Sequence, residues 1–104
     1  MKSKYHAKPT YVGGIRFASK KEANRYAELC LLANNYKIQD LKCQVKFPLI
    51  KKSKYGREVR YIADFVYYEN GELVVEDVKG YKTDVYKLKK RMMAELYGII
   101  IKET

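Results

Sequence analysis

A chain of 104 residues can bury one modest core and leaves no room for a second, so a single domain over residues 1–104 is expected. Lys and Arg number 22 against 12 Asp and Glu, a formal net charge of +10, which calls for an anionic partner, nucleic acid before all others. The two cysteines, Cys30 and Cys43, exclude a multi-bridge disulfide framework, and the absence of a signal peptide or a long apolar run excludes a membrane-spanning reading; an intracellular protein with free thiols is expected.

Residues 1–10 carry Lys2, Lys4, His6 and Lys8 with little apolar content, which reads as a basic arm. His6 is the only histidine, so no multi-histidine metal site is available. Tyr11 to Phe17 reads as a short hairpin turning at Gly13-Gly14. Ser19 followed by Glu22 is a capping-box pattern, and the apolar face that follows (Ala23, Tyr26, Ala27, Leu29, Cys30 and Ala33, with Leu31 and Leu32) predicts a helix to about residue 34. Gln44 to Ile50 reads as a strand with Val45, Phe47 and Leu49 on one side and Pro48 marking an edge or end. Gln44 itself is expected on the side of the acids described below.

Lys51-Lys52-Ser53-Lys54-Tyr55-Gly56-Arg57 is the densest basic run. As a hairpin tip it would press Lys51, Lys52, Lys54 and Arg57 on a phosphate backbone, with Tyr55 free to stack. Lys82 in a later turn and Lys87 on a helix's polar side join this DNA-contacting set.

The hairpin from Tyr61 to Lys79 organises the chain. Two runs rich in Val, Ile, Tyr and Phe flank Asn70-Gly71, whose two residues suit the positive φ of a two-residue turn. Counting outward pairs Glu69 with Glu72, Tyr68 with Leu73, Val66 with Val75 and Asp64 with Asp77. Side chains alternate with period two, so Ile62, Asp64 and Val66 should share a face with Val75, Asp77 and Lys79. Two carboxylates then oppose each other about 5 Å apart between Cβ atoms. Their repulsion has to be offset by a shared proton, nearby cations or a hard divalent ion. Glu76 should point to the opposite face, in a structural or exposed role.

Thr83 is the expected N-cap of a second helix ending at Gly98, with Val85, Leu88, Met92 and Leu96 as its apolar stripe and Tyr86, Met93 and Tyr97 flanking. Lys89 falls inside that arc, from which it would snorkel or reach towards the carboxylates. Ile99-Ile100-Ile101 is the expected closing strand. The result is an α/β (α+β-like) fold in the order αβββαβ, a mixed sheet flanked by two helices and closed by a helical crossover.

Asp64, then Asp77-Val78-Lys79 on the next strand, with Glu22 on a preceding helix, resembles the PD-(D/E)XK nuclease constellation, whose core is restriction-endonuclease-like. More closely, Lys4-Tyr5-His6, Gly14 to Ala23, Tyr61-Ile62-Ala63-Asp64-Phe65 and Asp77-Val78-Lys79-Gly80 look like a family of small phage and prophage proteins in that superfamily. Ser19 to Glu22 is also similar to the helix start of the end-cleaving transposase nuclease of Tn7-type elements. Ala63 stands where the motif has proline, and Asp77 where many relatives have glutamate.

The resemblance implies a Mg²⁺-dependent DNA endonuclease, with Mn²⁺ as a substitute in vitro, acting in the bacterial cytoplasm on behalf of a phage or prophage. Asp64, Asp77, the Val78 carbonyl and Glu22 would hold the metal. Glu22, Asp64, Asp77, Lys79 and Lys89 would form the catalytic set, with Lys79 orienting water or stabilising charge and Lys89 contacting phosphate. Three other readings stand beside it: a Holliday-junction resolvase, which would act as a homodimer because two strands need two sites; a non-catalytic nucleic-acid-binding module; and a small structural phage protein whose charge offsets nucleic acid.

Overall fold

The computed structural model describes residues 9–104. The expected basic arm, apart from Pro9 and Thr10, and the Lys4-Tyr5-His6 segment lie outside the described residues. The chain runs β1 (Thr10–Val12), β2 (Ile15–Phe17), α1 (Lys20–Asn34), β3 (Gln39–Ile50), β4 (Val59–Glu69), β5 (Glu72–Asp77), α2 (Asp84–Tyr97) and β6 (Lys102–Glu103). From α1 onward this is the expected αβββαβ order. The strands β1 and β2 form their own small antiparallel sheet across Gly13-Gly14.

The main sheet has the order β3-β4-β5-β6, antiparallel in its first two pairings and parallel between β5 and β6, with α2 as the crossover. The β4–β5 register is the one counted from the turn: Glu69 opposite Glu72, Tyr68 opposite Leu73 and Val66 opposite Val75. Asn70 at φ 53° and Gly71 at φ 79° supply the two left-handed residues of that turn.

Helices cover both faces. Val74 packs on the α1 side with Phe17, Ala23, Leu29, Phe65 and Tyr67, whereas its neighbour Val75 packs on the α2 side with Tyr86, Met93 and Ile101. Phe65, Val66 and Tyr67 are consequently three buried residues in a row. Among the described residues no helix is long and apolar enough to cross a membrane.

Both helices start as expected: the Ser19 hydroxyl accepts from the Glu22 amide and the Thr83 hydroxyl from the Tyr86 amide, each at 3.1 Å. Gly98, at φ 68°, ends α2. The buried stripe of α2 is not the expected one. Val85, Leu88 and Leu96 are all more than half exposed, and Tyr86 and Met93 face the sheet. The apolar count along the helix favoured the first stripe. The second wins because the Tyr86 ring covers a large area and its hydroxyl reaches Glu103 at 2.8 Å. Leu31 of α1 is likewise exposed.

Two strand boundaries also move. The strand expected from Gln44 begins at Gln39, and the one expected at 99–101 lies at Lys102–Glu103, leaving Ile101 buried beneath it and Ile100 in solvent. Cys30 and Cys43 are free and partly buried.

Glu76 is fully buried on the α1 side of the sheet. The Arg25 guanidinium donates to it twice, Nε to Oε2 at 2.6 Å and Nη2 to Oε1 at 2.9 Å. The Tyr67 hydroxyl donates at 2.7 Å and the Thr104 hydroxyl at 3.1 Å. Four donor bonds satisfy both oxygens, and Arg25 and Tyr67 hold the carboxyl below its usual range against the cost of burial. Removing one side of such a pair strands a buried charge. Arg25→Ala should therefore lower the unfolding free energy by about 3–5 kcal/mol, read by urea denaturation.

Candidate active site

The residue next to Glu76, Asp77, faces the other way and is 2% exposed. Its Oδ2 accepts from the buried Tyr61 hydroxyl. Its Oδ1 lies 3.2 Å from Lys79 Nζ but accepts no hydrogen bond. The strand ladder ends at Phe65 and Glu76, one pair short of Asp64 and Asp77. Asp64 fills that gap with its side chain, accepting from the Val78 amide at 2.8 Å. The Val78 amide thus ties that residue to the cluster.

Glu22 arrives from the first turn of α1, where the Ser19 cap fixes the helix start. It is 8% exposed, bonds to Asp64, and accepts from the Gln44 side chain at 3.5 Å. Gln44 lies across the β3–β4 register from Asp64 and holds a left-handed φ of 54°, an uncommon conformation for a side chain of its type.

At this level both strands change sides. Leu41, Cys43, Phe65 and Tyr67 pack towards α1, whereas Val45, Phe47, Tyr61 and Ala63 pack towards α2. The expected shared face of Ile62, Asp64 and Val66 is interrupted there. Val66 is buried, Ile62 is 40% exposed, and Asp64 sits at the crossing point. That crossing lets a residue of α1 meet acids whose neighbours pack on α2.

The acids therefore interact with one another. Burial is the main force raising Asp64, to about 7; the charges of Asp77 and Glu22 add to it and the Val78 amide opposes it. Burial also raises Glu22, with Asp77 adding and the Asp64 hydrogen bond and Lys79 opposing. Glu22 and Asp64 therefore both hold a proton more tightly than free carboxyls do. Burial and the bond to Asp77 push the Tyr61 phenol far up, so it stays a donor.

Lys79 is clamped. Its ammonium lies between Asp77 and the face of Tyr86, 4.2 Å from the ring centroid. Its backbone amide donates to the Thr104 carbonyl at 3.1 Å, and its carbonyl accepts from Lys21 Nζ at 2.9 Å. Tyr86 is anchored in turn by Glu103, which also binds Lys82 at 2.9 Å and Lys90 at 3.2 Å. Lys82, expected to contact DNA, is thus engaged within the protein.

Lys89 has no ion-pair partner among the described residues and lines a cavity of about 380 Å³ together with Asp77, Lys79 and Tyr86. Lys87 is exposed on α2. The basic tip projects between β3 and β4 with Lys51, Lys52, Lys54, Tyr55 and Arg57 all exposed; a Ser53–Gly56 bridge tightens it, and Lys54 lies 5.2 Å from the centroid of the Tyr55 ring.

Among the described residues, no three His, Cys, Asp or Glu side chains already form a metal-binding group. The donor set nonetheless suits a hard cation. Glu22, Asp64 and Asp77 offer oxygen only, and Asp77 Oδ1 is buried with a lone pair unused.

The family described as Protein of unknown function (DUF1064) matches residues 2–102. The chain belongs to the DUF1064 family. No curated protein matches it, and no solved structure does. Within this DUF1064 chain, sequence reasoning missed the braces: Tyr61 on Asp77, Tyr86 on Lys79, and Arg25 on Glu76. A tyrosine at 61, three residues before the acid, and one at 86, inside a helix's first turn, were visible as aromatic residues. Their partners depend on the fold.

A buried acid with a raised pKa favours the folded state while it is neutral. That contribution is complete below about pH 4 and is lost as pH rises towards about 7, where folded Asp64 ionises. In metal-free buffer the stability of the parent chain should fall across that interval. Asp64→Asn should flatten the fall, measured as urea midpoints from pH 4 to pH 7.

Proposed function

We propose that this DUF1064 chain is a metal-dependent endodeoxyribonuclease that hydrolyses phosphodiester bonds in phage or prophage DNA metabolism. The observation that carries the reading is the meeting of Glu22, Asp64 and Asp77 beside Lys79, with one buried oxygen of Asp77 left without a hydrogen bond. A purely structural cluster would be expected to satisfy that atom, as the cluster around Glu76 does.

Asp64, Asp77 and Glu22 would hold Mg²⁺, or Mn²⁺ in its place. Once bound, the ion would supply Lewis-acid polarisation of the scissile phosphate and an activated water. The raised affinity of Asp64 and Glu22 for a proton means that metal binding would release it, so affinity should rise with pH. Tyr61 fixes the Asp77 carboxylate by donating to Oδ2, leaving Oδ1 for the ligand. Lys79, fixed between Asp77 and Tyr86, presents a pre-oriented cation to the charge that grows on the phosphate. Lys89, with no ion-pair partner among the described residues and at the rim of the same cavity, would contact a neighbouring phosphate oxygen. The net charge of +10 and the exposed tip supply affinity that does not depend on sequence.

Supercoiled plasmid incubated with the chain should be nicked with Mg²⁺ and left intact with EDTA. Asp77→Ala should lose at least about a hundredfold in rate, since outer-shell changes alone cost 10- to 100-fold, while still binding DNA. Metal-dependent cutting by Asp77→Ala at the parental rate would overturn the assignment. Synthetic four-way junctions in the same assay test for a resolvase, which would place symmetric nicks at the branch.

Replacing Lys51, Lys52, Lys54 and Arg57 together with alanine should weaken duplex binding without altering the acid cluster. Each lost phosphate contact lowers the slope of log affinity against log salt by about 0.9, up to about 3.6 for all four. An unchanged slope in a salt titration would remove the tip from the interface.

A further inference from the structure

The strand β5 stops at Asp77, and the chain then leaves the sheet through residues 78–83 to begin α2. The strand β4 runs on. Its residues from Val59 to Ala63 pair with β3 on one side and, among the described residues, with no strand on the other. The notch left beside that bare edge is the cavity of about 380 Å³ next to Asp77 and Lys79.

Its walls are of three kinds. Arg60 and Lys89 line it with positive charge, and neither has an ion-pair partner among the described residues. Ile62 and Val85 line it with apolar surface, 40% and 62% exposed although each is large enough to belong in a core. The bare β4 edge adds backbone donors and acceptors. At its base lies Asp77, whose buried Oδ1 makes no hydrogen bond.

A ligand that fits must carry an anionic group, a flat apolar body and hydrogen-bonding edges on that body. A nucleotide has all three. The base of a nucleotide in a duplex is stacked and paired, so it cannot enter a recess of this kind without leaving its partner.

Resting on the nuclease reading, we propose that the notch holds one unpaired nucleotide adjacent to the scissile phosphate, so that the preferred substrate is single-stranded or locally unpaired DNA. Arg60 and Lys89 take the phosphate of that nucleotide. Its base lies between Ile62 and Val85 and meets the β4 edge. The recess opens beside Asp77, which sets the unpaired nucleotide within one phosphate of the acid cluster.

The test measures binding in EDTA, where no cutting intrudes, by fluorescence anisotropy of a labelled short single-stranded oligonucleotide and of a blunt duplex. Ile62→Ala and Val85→Ala each remove an apolar wall of the notch from an exposed position, and circular dichroism verifies their folding. The apolar surface lost justifies an expected loss of about tenfold for the single strand in each variant, with the duplex affected less than twofold. Equal effects on both probes, or no effect on either, would overturn the proposal.

A parallel arm with Mg²⁺ separates the two readings. Notch-dependent binding of the single strand with no cutting of any DNA would keep the notch and remove the nuclease. Metal-dependent cutting with binding indifferent to the notch would do the reverse.

Discussion

Glu76 and Asp77 are consecutive, and both are buried. The period-two alternation of a strand sends them to opposite faces of the sheet, so each must find its own partners. Everything around the centre of this fold follows from how each is accommodated. Glu76 receives a guanidinium, a phenol and a hydroxyl, and every lone pair that matters is used. Asp77 receives one phenol on Oδ2 and one ammonium at ion-pair distance from Oδ1, which accepts no hydrogen bond. Burying an acid is costly in either case. The first is balanced within the protein. The second is balanced less completely.

That contrast separates a structural carboxylate from a candidate catalytic one more sharply than the D-x-K spacing does. Glu22 and Asp64 belong with Asp77 because they too are under-compensated. Their mutual repulsion raises the proton affinity of both and is of the kind that a divalent cation would relieve. The crossing of faces at Gln44 and Asp64 is what brings the three together from a helix and two strands.

Much of this was legible in the residues alone, for local reasons. Asn70-Gly71 dictates a two-residue turn, and the β4–β5 register follows by counting. Ser19, Thr83 and Gly98 mark helix ends through short-range hydrogen bonds and backbone preference, and they were read correctly. What escaped notice is non-local. Period two placed Ile62 with Asp64 because nothing in β4 announces that the strand changes sides there. The stripe of α2 was misassigned because hydropathy counts methyl groups but not the Tyr86 hydroxyl that finds Glu103. Glu76 looked ordinary because Arg25, its partner, lies 51 residues away. The Lys82–Glu103 ion pair was not legible because Glu103 lies in the last strand.

Glu22 comes from α1, whereas Asp64, Asp77 and Lys79 come from one hairpin and its exit, residues 64 to 79, whose contacts are short-range in sequence. The groups that hold them rigid do not. Arg25 and Lys21 come from α1, and Thr104 closes on the backbone at both Asp77 and Lys79. A hairpin forms in about 1–10 μs, whereas contacts that span half the chain await the closure of long loops. The order of folding is therefore also an order of maturation: Asp64, Asp77 and Lys79 are drawn near one another first, and become a fixed geometry only when α1 brings Glu22 and β6 docks beside β5.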